Sequence, residues 1–479
     1  MNFEMPQFLL ALPELFLLGM ICTILILDLF FSDEQRSATY LLAQATIAVT
    51  AVLTLNLWGD GRDVTFSGLF VLDPMATLLK LGVYAAVFTT FLYSRRYLLE
   101  RDMYRGEFYV LGLSAMLGMM VMISANSFLS IYLGLELLSL SLYAMVAMQR
   151  DSVTASEAAM KYFILGAMAS AMLLYGMSMI YGATGSLNLT EINQILSSGD
   201  RDSLVLIFGL VFMLVGVAFK LGAVPFHMWV PDVYHGAPTA VTQFISTAPK
   251  LAAFAMLMRI LVDGLPSLQS QWHDILTILA VLSIIIGNVV AIAQTNIKRM
   301  LAYSGISHIG FLLMGVLAAT PEGYSSAMFY AMVYVLMGLG GFGMVILMSR
   351  AGFEADELND FKGLNKRSPW YALMVMFLMF SMAGVPPLLG FWAKLAVIQS
   401  VIAVELYSIA IIAVVFSVVG AYYYLRVIKL VYFDQPEDEN KLTPEMDLRL
   451  VFSGNALLVL FIGLYPSALM ELCRSAFAG

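Results

Sequence analysis

Charge is what this chain of 479 residues has least of: Asp, Glu, Lys and Arg together make 12%, against 61% hydrophobic residues. Mean hydropathy is +0.86. A water-soluble chain of this size needs more polar surface, so composition excludes that class and leaves an all-α polytopic membrane protein. Period-2 alternation is also missing from the apolar stretches, which run about 20 residues and so exclude a β-barrel. Two cysteines, Cys22 and Cys473, lie near opposite ends, and the four histidines are scattered. Neither set has the spacing of iron–sulfur, haem or zinc ligands, so no redox cofactor or metal is expected in this chain. The start, Met-Asn-Phe-Glu, lacks a basic n-region. The first apolar run is therefore expected to be a retained helix and not a cleaved signal.

What is present is a long succession of apolar runs. About 14 of them reach spanning length, near 8–30, 37–57, 70–93, 107–125, 127–148, 157–181, 203–224, 238–262, 274–294, 300–318, 325–349, 370–402, 407–430 and 448–472. The loops after odd-numbered runs hold sixteen Lys and Arg, and the other side holds only Arg62, Arg201, Arg259 and Arg474. By the positive-inside rule the basic loops face the cytoplasm, which puts both termini in the periplasm of a Gram-negative cell.

Five lysines fall inside the spans: Lys80, Lys161, Lys220, Lys250 and Lys394. An ionisable group at bilayer depth costs about 3 kcal/mol on insertion scales, so such groups point to function unless they pair or snorkel. Glu136, in Leu-Gly-Leu-Glu-Leu-Leu, is their acidic counterpart. Groups that titrate suit the passage of protons. Lys220, Lys250, Lys394 and Glu136 favour this reading over simple ion pairing. Lys161, near the start of its helix, is evenly balanced between function and snorkelling, and Lys80 is expected to pair or snorkel. His308, flanked by Tyr303, Ser304 and Ser307, is equally a proton relay or a satisfied core histidine.

Two segments cannot be plain helices. One runs Lys220-Leu-Gly222-Ala-Val-Pro225 through Pro231 and Asp232, the other Ala383-Gly384-Val-Pro386-Pro387 to Lys394. Proline removes a backbone donor, and such breaks persist at membrane depth only where protein or water satisfies the freed groups. Paired interruptions beside buried charges point to an inverted-repeat transporter. The glycines Gly338, Gly340, Gly341 and Gly343 fit a dinucleotide fingerprint, but they lie inside an apolar run with no preceding strand. Close helix packing explains them better.

The stretch Pro225-Phe-His-Met-Trp-Val-Pro-Asp232-Val-Tyr-His-Gly-Ala-Pro238, then Pro249-Lys250, then Lys298-Arg299-Met-Leu-Ala-Tyr-Ser304-Gly-Ile-Ser-His308, resembles the antiporter-like proton-translocating subunits of respiratory complex I and their multisubunit Na+/H+ antiporter relatives. The resemblance extends over nearly the whole chain. It implies 14 helices with two inverted five-helix repeats, each containing a discontinuous helix. The corresponding parts are an N-terminal three-helix segment (1–106), a first repeat (107–262, broken near 220–231), a second repeat (263–433, broken near 383–394) and a C-terminal helix (434–479).

By position, the resemblance makes Glu136 and Lys220 a pair, Lys250 the central link and Lys394 the terminus of a proton path, with Lys161 on the sixth helix. Family members more often carry Glu or Gln where His235 stands, so His235 receives no role. The implied activity is H+-translocating NADH:quinone oxidoreduction. NAD, FMN, iron–sulfur clusters and quinone would belong to partner subunits. The partners would be other membrane subunits of a hetero-oligomer in the bacterial inner membrane, with no nucleic acid. The alternatives are a Na+/H+ antiporter subunit and a membrane scaffold.

Overall fold

The computed structural model describes residues 5–32, 35–198, 203–437 and 441–477. Met1 to Glu4 and Arg201, which entered the reading of the N-terminus and of the loop charges, lie outside the described residues. The chain begins with α1 (Leu12–Asp28) and α2 (Arg36–Asn56), and a hairpin of β1 (Asp63–Thr65) and β2 (Phe70–Leu72) then leads into α3 (Pro74–Leu99). Residues 70–72, expected in the third span, therefore belong to the hairpin. Asp73 ends it by accepting the Ala76 amide at 2.8 Å, and Pro74 opens the helix where no donor is needed.

Next come α4 (Gly106–Ile123), α5 (Phe128–Val146), α6 (Val153–Thr184), the short α7 (Leu189–Ser198), α8 (Leu204–Leu221) and α9 (Trp229–Gly236). Helices α10 (Thr239–Ser246) and α11 (Ala248–Met258) follow, then α12 (Gln269–Ile292), α13 (Ile297–Leu317) and α14 (Pro321–Met348). The chain finishes with α15 (Leu364–Arg367), α16 (Pro369–Ala383), α17 (Leu389–Ala403), α18 (Tyr407–Phe433), α19 (Met446–Leu464) and α20 (Ser467–Ser475).

Among the described residues, thirteen helical stretches are long and apolar enough to cross a membrane. The shorter apolar helices α16 and α17 account for the interrupted 370–402 segment, which brings the spans to the expected fourteen. The last span is shorter than expected: α19 stops at Leu464, ahead of Pro466, and α20 is separate.

The stretch formed by α10 and α11, together with α13 and α14, is buried on nearly every side. Peripheral helices turn Leu18, Leu41, Phe163, Val418 and Leu458 outward. In a bilayer those faces meet acyl chains as apolar as themselves. Helices α4 and α5 touch backbone to backbone, since a Cβ on Gly118 would lie 2.6 Å from the Leu138 nitrogen and 2.7 Å from the Gly134 oxygen.

Contacts between loops respect the two sides deduced from charge. Arg62 pairs with Asp263, both on the side poor in basic residues. Arg101 pairs with Glu354 and Arg96 with Glu445, all on the basic side. Several of the counted charges lie in helix ends rather than in loops, and two of them are deeply buried there. Arg259 is 1% exposed, inside a π-helical turn that ends the α11 span, and Lys298 is buried in the first turn of α13. Each finds acceptors within the helix ends around it, so neither has to reach water.

Candidate functional site: three helix breaks and their lysines

Helix α8 ends where Gly222 takes φ 79°, in the left-handed region that glycine adopts without a Cβ penalty. The last four carbonyls of a helix have no partner within it, and here each finds one. The amides of Gly222 and Ala223 donate to the Ala218 oxygen at 2.9 and 2.8 Å. Trp229 Nε1 donates to the Phe219 oxygen at 2.9 Å. Lys250 Nζ donates to the Leu221 oxygen at 2.8 Å and more weakly to that of Lys220 at 3.4 Å. Beyond the helix end, the Val224 amide donates to Ser283 Oγ on α12 at 2.9 Å. The break is thus closed by side chains from α9, α11 and α12.

The second break repeats the design. Gly384 takes φ 90°, the amides of Gly384 and Val385 donate to the Phe380 oxygen at 3.1 and 2.9 Å, and Lys394 Nζ donates to the Ala383 oxygen at 2.9 Å. The cation at each break lies at the negative end of a half-helix, where it is favoured.

A third interruption was not expected. Thr247, at φ −117° and ψ −92°, separates α10 from α11 two residues before Pro249 and three before Lys250. Pro249 cannot donate and its ring crowds the preceding turn, which favours a kink or a break there, and here the helix breaks. Lys250 therefore starts at the N-terminus of one half-helix and reaches the C-terminus of another. Four polar residues precede it: Thr242, Gln243, Ser246 and Thr247. They donate to the backbone oxygens of Tyr234, Leu339, Gln243 and Gln243, at 3.0, 2.7, 3.1 and 2.7 Å.

Lys220 and Glu136 come from neighbouring helices but stand apart. Lys220 Nζ donates instead to Ser139 Oγ at 2.7 Å, one turn further along α5. Glu136 Oε1 is buried with no hydrogen-bond partner. A cavity of about 20 Å³ lies between Lys220, Ser139, Tyr162, Trp229 and Lys250, enough for one water molecule.

His308 is buried on α13, with Nδ1 2.6 Å from Tyr330 Oη and Nε2 3.1 Å from Tyr424 Oη. Tyr424 also bonds Ser304. Ser307 instead accepts from Asn288 at 2.7 Å, and Tyr303 turns towards the His227 ring. The glycines of the false nucleotide motif are helical and serve packing: Gly341 faces Met382, Gly343 faces Tyr93, and Gly338 lies between Thr247 and the His308 cavity.

Lys161 and Lys80 have carboxylate partners. Lys161 bonds Glu157 at 2.9 Å and Asp232 at 2.8 Å near the basic loops, and Arg299 reaches Asp232 at 2.9 Å. Burial alone would raise the Asp232 carboxyl, but the bonds from Lys161 and Arg299 hold it below its ordinary 3.8. Lys80 pairs with Glu14 at 2.5 Å, an ion contact by distance without hydrogen-bond alignment. Lys298 Nζ caps the Ala237 oxygen at the end of α9 at 2.8 Å. Sequence reasoning missed Ser139, Ser283, Tyr330 and Tyr424, which are ordinary residue types whose placement depends on the packing of distant helices.

Residues 125–420 match the family described as NADH:quinone oxidoreductase/Mrp antiporter, TM. The NADH-quinone oxidoreductase subunit N of Thioalkalivibrio sulfidiphilus is 60% identical over 479 residues, covering 100% of both chains. A chain of respiratory complex I from Thermus thermophilus with bound aureothin superposes with a TM-score of 0.82 at 31% identity, over 96% of this chain and 98% of that one. A chain of the Mrp complex from Dietzia shares the fold, with a TM-score of 0.83 at 21% identity over 98% and 97% of the two chains. With the family match spanning well over half of its length, and that identity running from end to end, the chain belongs to the NADH:quinone oxidoreductase/Mrp antiporter membrane-subunit family.

Proposed function

We propose that this chain is a proton-translocating membrane subunit of a bacterial NADH:quinone oxidoreductase. In this reading it works within a hetero-oligomer of membrane subunits in the inner membrane, and its termini are periplasmic. The observation that carries the mechanism is the placement of Lys250 and Lys394 on the carbonyl ends of broken helices, with Lys220 beside the first break.

Backbone breaks at this depth persist where they line a polar interior. A lysine there can hold or pass a proton, because its ammonium is compact, flexible and able to deprotonate. Lys220 is the entry group in this reading, within reach of Glu136. The adjoining cavity, which has room for one water, lies between it and Lys250. From Lys250 the route runs past Thr247 and Gly338 to the hydroxyls around His308, and then to Lys394, whose Nζ lies 5.3 Å from the Phe311 ring centre. The division into two repeats, at 107–262 and 263–433, is part of the same proposal. NADH, flavin, cluster and quinone chemistry falls to partner subunits, and this chain supplies only the proton path. Lys161, tied to Asp232 and Glu157, is a less central member.

The test uses membrane vesicles containing the assembled complex with Lys220→Ala or Lys220→Arg. NADH-driven acidification and electron transfer to quinone are recorded on the same sample. Loss of pumping with assembly intact supports the proposal, and unchanged pumping per electron removes Lys220 from the path. Sodium-driven proton flux without NADH or quinone would favour the antiporter reading.

A further inference from the structure

We propose that the Ser139 hydroxyl is a resting acceptor for Lys220, a positioning residue that competes with Glu136 for its ammonium. The inference rests on the proton path proposed above. Ser139 is 1% exposed and its hydroxyl donates to the Leu135 oxygen at 2.6 Å. With that hydrogen committed, the oxygen turns a lone pair to Lys220 Nζ at 2.7 Å.

Glu136 precedes Ser139 by three residues, and positions three apart on a helix are neighbours separated by about 4.5 Å of rise. The flexible lysine therefore has two acceptors on one face of α5. One is a neutral hydroxyl, occupied here. The other is a carboxylate, whose Oε1 is buried without a hydrogen-bond partner. The remaining titratable groups around Lys220 are Tyr143 on α5, Tyr162 on α6 and Lys250 on α11.

The choice of acceptor has a chemical consequence. An ammonium against a carboxylate is held charged, whereas one against a hydroxyl releases its proton more readily. Ser139 thus holds Lys220 in the position from which a proton can pass to the cavity shared with Lys250, and Glu136 holds it in the loading position.

Back-bonding by a buried serine is by itself common in membrane helices. Ser141 provides the comparison within the same helix: it donates to the Leu137 oxygen at 2.7 Å, is 5% exposed, and receives no lysine. A purely structural role would make the two serines equivalent.

The experiment compares Ser139→Ala, Ser139→Thr, Ser141→Ala and Lys220→Ala in the assembled complex, and Ser139→Ala in a Glu136→Gln background. Acidification per electron is the readout. A hydrogen bond to a charged partner shifts a two-position balance by roughly tenfold or more. Ser139→Ala is expected to lower pumping on that scale, Ser139→Thr to restore it, and Ser141→Ala to match the wild type. In the Glu136→Gln background the Ser139→Ala effect should shrink, because the competing carboxylate is gone. Wild-type pumping in Ser139→Ala, equal losses in Ser139→Ala and Ser141→Ala, or full additivity with Glu136→Gln would overturn the inference. If Lys220→Ala itself pumps normally, the proton path fails and the inference with it. If Lys220→Ala is inactive while Ser139→Ala is normal, only the inference fails.

Discussion

The ammonium of Lys250 lies 2.8 Å from the carbonyl oxygen of Leu221, the last residue of α8. Lys394 stands in the same relation to Ala383 at the end of α16, 2.9 Å away. In one case the lysine comes from a different segment, and in the other from the second half of the same broken segment. Two positions far apart in sequence thus reach one local solution: a left-handed glycine ends the helix, and a cation occupies the carbonyls that are left over.

This arrangement separates two roles of Lys394 that a single substitution would confuse. Arginine keeps the charge and the donors but does not deprotonate in proteins. Lys394→Arg is expected to assemble at near wild-type levels and to fail in NADH-driven acidification. Lys394→Met should lose assembled complex as well, because a carbonyl left unsatisfied costs about 1–3 kcal/mol. Complex content on native gels and acidification in vesicles read the two effects separately. Normal pumping by the arginine variant would limit Lys394 to capping.

Gly384 gives a second test. Alanine there carries the left-handed backbone cost of about 1–2 kcal/mol, and its Cβ would lie 3.0 Å from Lys394 Cδ and 3.4 Å from Nζ. Gly185, at φ 71°, has nothing within 4 Å of its Cβ position. Gly185→Ala therefore reports backbone strain alone. Pumping per electron should fall in Gly384→Ala and stay normal in Gly185→Ala; equal values would show that displacing Lys394 is without consequence.

On the side poor in basic residues, Arg259 binds both oxygens of Asp73, at 2.7 and 2.8 Å, and Asp263 at 2.8 Å. Burial pushes the Asp73 carboxyl up, but the Arg259 guanidinium outweighs it and holds the group below its ordinary 3.8. A depressed folded value stabilises the protein above 3.8, and that contribution disappears as pH falls through the folded value. Asp73→Asn leaves a buried cation short of its partner, at a cost of about 3–5 kcal/mol. The variant should unfold at a lower temperature near neutral pH. It should also lack this part of the wild-type loss of stability on acidification below 3.8. Matching melting curves across that range would contradict the argument.

Ser283 tests the first break without touching a titratable group. Its hydroxyl accepts the Val224 amide at 2.9 Å in a fully buried position. Ser283→Ala leaves that amide unsatisfied and should lower thermal stability by about 1–3 kcal/mol. Pumping per electron in the surviving complex should match the wild type. A selective loss of pumping would place Ser283 in the proton path.

Much of the architecture was legible because the bilayer imposes simple rules on sequence. Apolar runs of spanning length gave the fourteen segments, and the distribution of Lys and Arg separated the two faces. Proline and glycine beside Lys220 and before Lys394 marked two of the three breaks. The interruption at Thr247 escaped because a single proline in an apolar run, Pro249, reads equally as a tolerated kink. The start of α3 was misplaced because Phe70-Val-Leu72 is as apolar as a helix turn, and only pairing with Asp63–Thr65 makes it a strand.

The sequence by itself determined that ionisable groups would stand at membrane depth, since Lys220, Lys250, Lys394 and Glu136 have no aqueous position within their helices. It also determined that Gly222 and Gly384 would end helices there. Only the tertiary structure decided what those groups touch. Lys220 rests on Ser139 and not on Glu136, Lys250 crosses to the end of α8, and His308 is held between Tyr330 and Tyr424. Local rules of helix formation act over one or two turns. A lysine's choice of acceptor depends on distances of a few tenths of an ångström between helices that meet only when the whole bundle has packed.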